Sequence, residues 1–386
     1  MLGQRAIDAF LRMLDSLEHG SLELVTPDGR IRHFEGRNPG IRAAMRINDW
    51  RVALNLAARG DAALAGDYRA GLWDTTNLQN LLTLGLLNDQ AAQRFIFGSR
   101  ISQVLGRLAN LARLNTLRGS RRNIHAHYDL GNDFYALWLD AGMTYSSAIF
   151  THANESLEEA QNNKYDRILG RLDARSGSLL EIGCGWGGFA ERATARGDFG
   201  IRGITISPAQ LDFAKRRLGH RADIALADYR HQTGRFDHIV SIEMFEAVGE
   251  RYWPTYFEKI KSLLGRGGRA VIQTITIADD RFEKYRRSSD ALRDYIFPGG
   301  MLPSPSRFAS NATRSGLRIA DRFTFGEDYA MTLERWLQTF DAKRSAVEAL
   351  GFDDSFIRLW RFYLAACIAG FRTGRTDVMQ VELQHV

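Results

Sequence analysis

Glu243 and Glu246 stand three residues apart at the end of an apolar run, Ile239–Ile242. Carboxylates at that spacing at a strand's end share a face, and their repulsion raises the proton affinity of one of them, which suits it to act as a general base. A solvated or salt-bridged glutamate would show the same spacing, so the pattern admits both readings. The other chemistry-bearing segment is Leu179-Leu180-Glu181-Ile182-Gly183-Cys184-Gly185-Trp186-Gly187-Gly188, an apolar strand ending in a glycine-rich turn that opens a helix. Glycines let the backbone approach a ligand closely, and sheets with helices on both faces bind nucleotides at their carboxyl edge. A dinucleotide fits poorly. The spacing is G-x-G-x-G-G, not G-x-G-x-x-G, and the next strand ends Gly203-Ile204-Thr205-Ile206-Ser207 without the acid that would hold a ribose.

From Ser178 onward, strands and helices alternate, which predicts a doubly wound parallel α/β sheet to hold these segments. The strands fall at Ser178–Ile182, Ile201–Ile206, Ile224–Ala227, Ile239–Ile242 and Arg269–Ile277, with helices at Gly188–Arg196, Pro208–Leu218 and Trp253–Leu264. Late strands at Leu317–Phe325 and Val378–Gln384, separated by helical Leu333–Leu350 and Phe356–Phe371, are expected to add an antiparallel edge. Phe297-Pro298-Gly299-Gly300-Met301-Leu302-Pro303 is an apolar turn-rich segment that suits either a ligand-channel wall or an ordinary packed loop.

The first ninety residues read as a smaller α+β domain. Ile7, Phe10, Leu11, Leu14 and Leu17 give Gln4–Leu17 one apolar helical face, and Ser21–Val25 and Ile31–Glu35 flank the turn Pro27-Asp28-Gly29. Asp49–Arg59 and Leu78–Leu87 have helical patterns. Residues 91–122 form a basic linker: between Gln90 and Tyr128 no acid occurs, while Arg94, Arg100, Arg107, Arg113, Arg118, Arg121 and Arg122 interleave with leucines and isoleucine. Such a helix suits an anionic bilayer surface or the packing of a linker. The remaining domain runs over 123–386.

The 386 residues are 45% hydrophobic, enough for a large core, and 51 Lys and Arg against 45 Asp and Glu leave a charge of +6. That excess suits phospholipid headgroups or nucleic acid, but no stacking platform or docking motif supports a nucleic-acid role. Cys184 and Cys367 are the only cysteines, too few for a disulfide framework and consistent with the reducing cytoplasm. No apolar run is long enough to span a bilayer, so membrane contact is expected to be peripheral, at the inner face. No metal site is expected.

The run from Asn123 to Tyr135 (Asn-Ile-His-Ala-His-Tyr-Asp-Leu-Gly-Asn-Asp-Phe-Tyr), Met143-Thr144-Tyr145-Ser146-Ser147, the Glu181–Gly188 loop, Gly203–Ser207 with Gln210, and Met244-Phe245-Glu246 stand in one chain. Together they resemble cyclopropane-fatty-acyl-phospholipid synthases and the related mycolic acid methyltransferases. Gly71-Leu72-Trp73-Asp74 resembles the lipid-capturing N-terminal domain of the phospholipid-acting branch. The resemblance implies a class I methyltransferase fold, a homodimer, and S-adenosylmethionine held by Tyr145, Ser146, Gly183, Gly185, Thr205, Ile206 and Gln210. Asp228 and Tyr229 match the adenine contacts. It also implies a one-carbon transfer to a double bond of an unsaturated phospholipid acyl chain, with a bound bicarbonate as base.

The bicarbonate shell of such enzymes maps onto Ser147, Glu246, Gln273, Tyr329 and the Ile242 carbonyl, with Cys367 matching a further cysteine near the site. This chain departs from the pattern. Ser147 stands where cysteine is usual, Gln273 and Ala247 where histidine is usual, and Glu243 where glycine is frequent. A neutral amide holds an anion less firmly than an imidazolium, so Gln273 weakens the case for bicarbonate and Glu243 becomes a candidate base. The product is open between a cyclopropane and a methylated or methyl-branched chain. A small-molecule methyltransferase, or a lipid-binding protein with a decayed site, are the rival readings.

Overall fold

The computed structural model describes residues 2–91, 130–288 and 290–386. The chain divides into two compact units, one of residues 1–112, 284–298 and 340–375, the other of 113–283, 299–339 and 376–386. The basic run from Arg94 to Arg122 and the segment from Asn123 to Asp129 lie outside the described residues.

In the first unit, β1 (His19–Val25), β2 (Ile31–Glu35), β3 (Asn38–Ile47) and β4 (Trp73–Asp74) form a sheet in the order β2-β1-β3-β4. The β1–β2 turn closes as its residues predict, with Gly29 at φ +81° and its N–H donating to Thr26 O at 2.8 Å. β3 was not among the expected strands; it carries Pro39 and Gly40, both poor strand residues, yet it pairs in parallel with β1 from Ser21 to Val25. Helix Asp61–Arg69 was also unforeseen. The long helix Asp354–Arg372 belongs to this unit and not to the 123–386 domain expected from sequence. Its Ile357, Trp360, Leu364, Ile368 and Phe371 are buried, and Arg358 donates to the carbonyls of Tyr68 at 2.6 Å and Trp73 at 2.9 Å. Apolar on most of its circumference, this helix must be covered on several sides.

The second unit is built on a seven-stranded sheet in the order β10-β11-β9-β8-β5-β6-β7. Its strands are β5 (Ser176–Ile182), β6 (Asp198–Thr205), β7 (Asp223–Leu226), β8 (Phe236–Ile242), β9 (Leu264–Ile277), β10 (Leu317–Thr324) and β11 (Thr376–His385). β5 to β9 are mutually parallel, and the expected antiparallel strand is β11, wedged between β9 and β10. Leu179, Leu180, Ile239, Val240, Val271 and Ile272 are at most 1% exposed, as a sheet covered on both faces requires. Register aligns the carboxyl ends: Ile182 faces Ser241 and Ile204, Ile242 faces Gln273, and Gln273 faces Gln380. Helix Leu157–Leu172, which lies over this sheet's core, starts with a capping box between Ser156 and Glu159.

Candidate active site

β8 ends at Ile242, and the chain turns sharply at Glu243, whose φ of +49° lies in the left-handed region. A side chain there costs about 1 to 2 kcal/mol that a glycine would avoid. The turn is pinned by the Glu243 N–H, which donates to Gln273 O at 2.8 Å, and it points the side chain into a set of donors. Ser147 N–H (2.9 Å) and Gln273 Nε2 (2.8 Å) donate to Glu243 Oε1, and the Tyr329 hydroxyl donates to Oε2 at 2.6 Å. Burial pushes the Glu243 carboxyl above its ordinary value, while Tyr329, Ser147, Lys164 and Gln273 all favour the ionised form.

Glu246 is placed differently. Its Oε1 accepts from the Ile275 N–H and from Thr274 Oγ1 at 3.0 Å, while Oε2 is buried with no partner among the described residues. Burial, then the neighbouring Glu243, pushes Glu246 up to about 8. A buried orphan oxygen is far cheaper as part of a neutral acid, so of the two Glu246 holds a proton the more tightly and Glu243 ionises the more readily. The two carboxylates thus divide as their spacing suggests. Part of the turn-rich segment lies alongside, Met301 N–H donating to Glu246 O at 2.9 Å.

Three of the groups expected round a bicarbonate, Ser147, Gln273 and Tyr329, are therefore taken up by Glu243. Ser147 contributes its backbone N–H, since its hydroxyl donates to Ala148 O at 3.0 Å. Ile242 lies opposite Gln273 in the sheet, with no side-chain role in the cluster. Cys367 is on helix Asp354–Arg372 of the first unit, where burial pushes its thiol up.

The nucleotide-side residues gather at the carboxyl edge. Gly183 and Gly185 have φ of +80° and +51°. A Cβ on Gly183 would sit 2.9 Å from Met244, whereas one on Gly185 would meet nothing within 4 Å, so the loop is tight beneath and open above. Thr205 Oγ1 donates to Gln210 Oε1 at 2.8 Å and accepts from Ser207 N–H at 3.1 Å, holding both near the end of β6, with Ile206 between them. Beyond β7, the Asp228 carboxylate takes Arg230 at 2.9 and 2.6 Å, and Tyr229 packs edge-on against Tyr256. Tyr145 joins an aromatic group with Tyr135, Trp138 and Trp336 at centroid distances of 5.4 to 5.6 Å. Trp336 continues to Tyr329 at 6.2 Å, linking the aromatic faces to Glu243.

Two residues of this region were missed. Lys164 is fully buried, its Nζ donating to Ser146 Oγ and Gln161 Oε1, both at 2.7 Å, while Gln161 Nε2 holds the Ser146 carbonyl at 2.9 Å. Burial pulls Lys164 down to about 7, against the carboxylates of Glu243, Asp140 and Glu181. Glu181, the penultimate residue of β5, is 3% exposed, its Oε2 has no partner among the described residues, and burial pushes it up to about 8. A charge inside an apolar strand was the available signal for Glu181, and a lysine on the inward stripe with Ala160 and Ile168 was the signal for Lys164.

A glycine turn open above β5, a polar Thr205–Gln210 pair after β6, an acid after β7 and no dinucleotide acid fit S-adenosylmethionine. The fold and site define a class I S-adenosylmethionine-dependent methyltransferase. Residues 115–381 match the mycolic acid cyclopropane synthetase family, and the chain belongs to it. It is 38% identical to the tuberculostearic acid methyltransferase of Mycobacterium tuberculosis over 85% of this chain and 80% of that one. It is 33% identical to the cyclopropane-fatty-acyl-phospholipid synthase of Escherichia coli, covering 89% of this chain and 88% of the other. Among solved structures, a mycolic acid cyclopropane synthase complexed with SAH superposes with TM-score 0.64 at 31% identity, over 68% of this chain and 98% of its own.

Proposed function

We propose that the protein transfers a methyl group to a double bond of an unsaturated phospholipid acyl chain, with the Glu243 carboxylate as the base in place of bicarbonate. The observation that carries this reading is the placement of Glu243 among Tyr329, Ser147 and Gln273, the groups that would otherwise face the anion. Tyr145, Ser146, Gly183, Gly185, Thr205, Ile206 and Gln210 would hold the cofactor's amino-acid and ribose parts, with Asp228 and Tyr229 at the adenine. When bound, S-adenosylmethionine supplies an electrophilic methyl carbon. Attack by the alkene π pair would break the sulfur–methyl bond, release the donor as a neutral thioether and leave positive charge on the neighbouring acyl carbon, which the faces of Tyr145, Trp336 and Tyr329 would shelter. Glu243 then takes one proton from the chain or from the new methyl, and the C–H pair neutralises the cation. Neutral Glu246 adds no second negative charge.

Loss of the proton from the methyl closes a ring, whereas loss from the chain leaves a methylated alkene. A base anchored to the protein, and kinship to an enzyme named for tuberculostearic acid, favour the open-chain product. The first unit is assigned to the lipid, in keeping with the phospholipid synthase relative whose match extends over it. Among the described residues no helix is long and apolar enough to cross a membrane, which suits peripheral binding at the inner face. The basic run 91–122 would supply headgroup contacts, and the protein would act as a homodimer. The test is incubation with methyl-labelled S-adenosylmethionine and vesicles of dioleoyl phosphatidylglycerol, then NMR of the extracted chains. Label in a methyl borne by a chain that keeps its double bond supports the whole reading, and cyclopropane methylene signals refute the open-chain part. Unlabelled acyl chains refute the function.

A further inference from the structure

Behind Gln273 a line of polar side chains crosses the sheet. Gln380 of β11, opposite Gln273 in the ladder, is 0% exposed like Gln273 itself, and its Nε2 donates to Gln273 Oε1 at 3.0 Å. Arg167 Nη1 donates to Gln380 Oε1 at 2.8 Å, and Arg167 Nη2 donates to Asp321 Oδ2 at 2.8 Å. The Arg167 guanidinium lies over the Phe323 ring at 4.3 Å, so its place is set by a carboxylate and a ring together. The remaining amide hydrogens have acceptors too: Gln380 Nε2 faces the Lys164 carbonyl and Gln273 Nε2 the Ser147 carbonyl, each at 3.5 Å.

The order of these contacts has one sense only. A glutamine amide is nearly symmetric in shape, so packing alone does not decide which end points where. Arginine only donates. Gln380 must therefore turn its oxygen to Arg167 and its NH2 to Gln273, which must turn its oxygen to Gln380 and its NH2 to Glu243. Were the Gln273 amide reversed, its carbonyl oxygen would face the carboxylate and a donor would become a repulsion.

We propose that Arg167 is a positioning residue for the base: through Gln380 it fixes the Gln273 amide with its NH2 toward Glu243 and so favours the ionised carboxylate. The proposal concerns the charge state of Glu243, and only its kinetic consequence rests on Glu243 being the base. The other titratable or charged groups facing Glu243 are Tyr329 on helix Gly326–Ala342, Lys164 on helix Leu157–Leu172, and Glu246 beyond β8. None of these is altered by the changes below.

The test is the protonation of Glu243 in the full-length protein, followed by infrared difference spectroscopy against pH and assigned by the carboxyl band that Glu243→Gln lacks. Arg167→Met and Gln380→Leu each raise the midpoint by about one pH unit, equivalent to about 1.4 kcal/mol. Arg167→Lys, which still offers a donor, stays close to the parent and serves as the control should Arg167→Met fold poorly. In a Gln273→Leu background, with no amide left to orient, Arg167→Met adds no further shift. An unmoved midpoint in folded Arg167→Met, or the same added shift in the Gln273→Leu background, overturns the proposal. If the midpoint moves while the acid limb of kcat/KM does not, the relay stands and the assignment of Glu243 as base fails.

Discussion

Replacing Glu243 by glycine removes the carboxylate and keeps the turn that carries it. At φ +49° glycine is at ease, so the backbone gains about 1 to 2 kcal/mol where most substitutions would strain it. What remains is a hole the size of a carboxylate, lined by the Tyr329 hydroxyl, the Ser147 N–H and the Gln273 NH2, the three donors now on Glu243. Loss of a positioned base lowers kcat about 10²- to 10⁴-fold, or roughly 3 to 5 kcal/mol of barrier.

The same three donors should accept a small anion. Formate or bicarbonate added to Glu243→Gly is expected to restore roughly tenfold or more of the lost rate, saturably, because geometry for the missing group is already built. The parent enzyme, whose own carboxylate fills the site, should respond to neither anion and should lose nothing in carbon-dioxide-free buffer. The assay is single-turnover transfer of labelled methyl to vesicle lipid, with S-adenosylmethionine binding measured separately. Parental turnover by Glu243→Gly without added anion would refute the role of Glu243, and so would a bicarbonate requirement in the parent.

Three further outcomes follow from the same geometry. Tyr329→Phe removes a donor to the ionised form of Glu243, so the pH above which kcat/KM reaches its plateau rises by about one unit in a pH–rate profile. Glu246→Gln keeps the shape of a neutral acid. Glu246 is raised from an unfolded value of 4.5 to about 8, so its contribution to stability is fully present below 4.5 and is lost as pH rises through 8. In thermal melts the variant should match the parent near pH 4.5 and outlast it at pH 9, and parallel curves would exclude the shift. Lys164→Met loses the bond to Ser146 Oγ and should weaken S-adenosylmethionine binding roughly tenfold by calorimetry, with the acyl-chain product unchanged.

How far the sequence led depended on the range of the interactions involved. The βα units were legible because apolar runs and helix starts are local: helices Gly188–Arg196 and Pro208–Leu218 fall where the glycine turn and the Ser207 cap put them. Pro39 and Gly40 argued against a strand that a parallel partner nonetheless supports, a case of tertiary pairing overriding propensity. The helix Asp354–Arg372 was read correctly as a helix, but its unit was not, since nothing local says which neighbours will cover it. At the site, the Glu243/Glu246 pair was visible from spacing. Its donors lie 96, 30 and 86 residues away in the chain, so spacing could not supply them; the family resemblance did bring Ser147, Gln273 and Tyr329 to the site, but around a bicarbonate and not around Glu243. Gln380 and Arg167 give no signal at all in one dimension; only the register of β9 against β11 brings the two amides face to face.

The division of labour between the two glutamates follows from what each oxygen can reach. Two ionised carboxylates this close would cost free energy, and protonating either one removes that cost. Three donors converge on Glu243, and the Lys164 amine lies near enough to favour its charge, whereas Glu246 leaves an oxygen with no partner among the described residues. The proton therefore settles on Glu246. A cation forming beside the aromatic faces would meet a single localised negative charge, on which, among the described residues, Oε2 accepts one side-chain hydrogen bond and Oε1 two hydrogen bonds. The donors that favour the ionised form of Glu243 come from Tyr329, Ser147 and Gln273, and glycine at 243 would leave all three without their carboxylate.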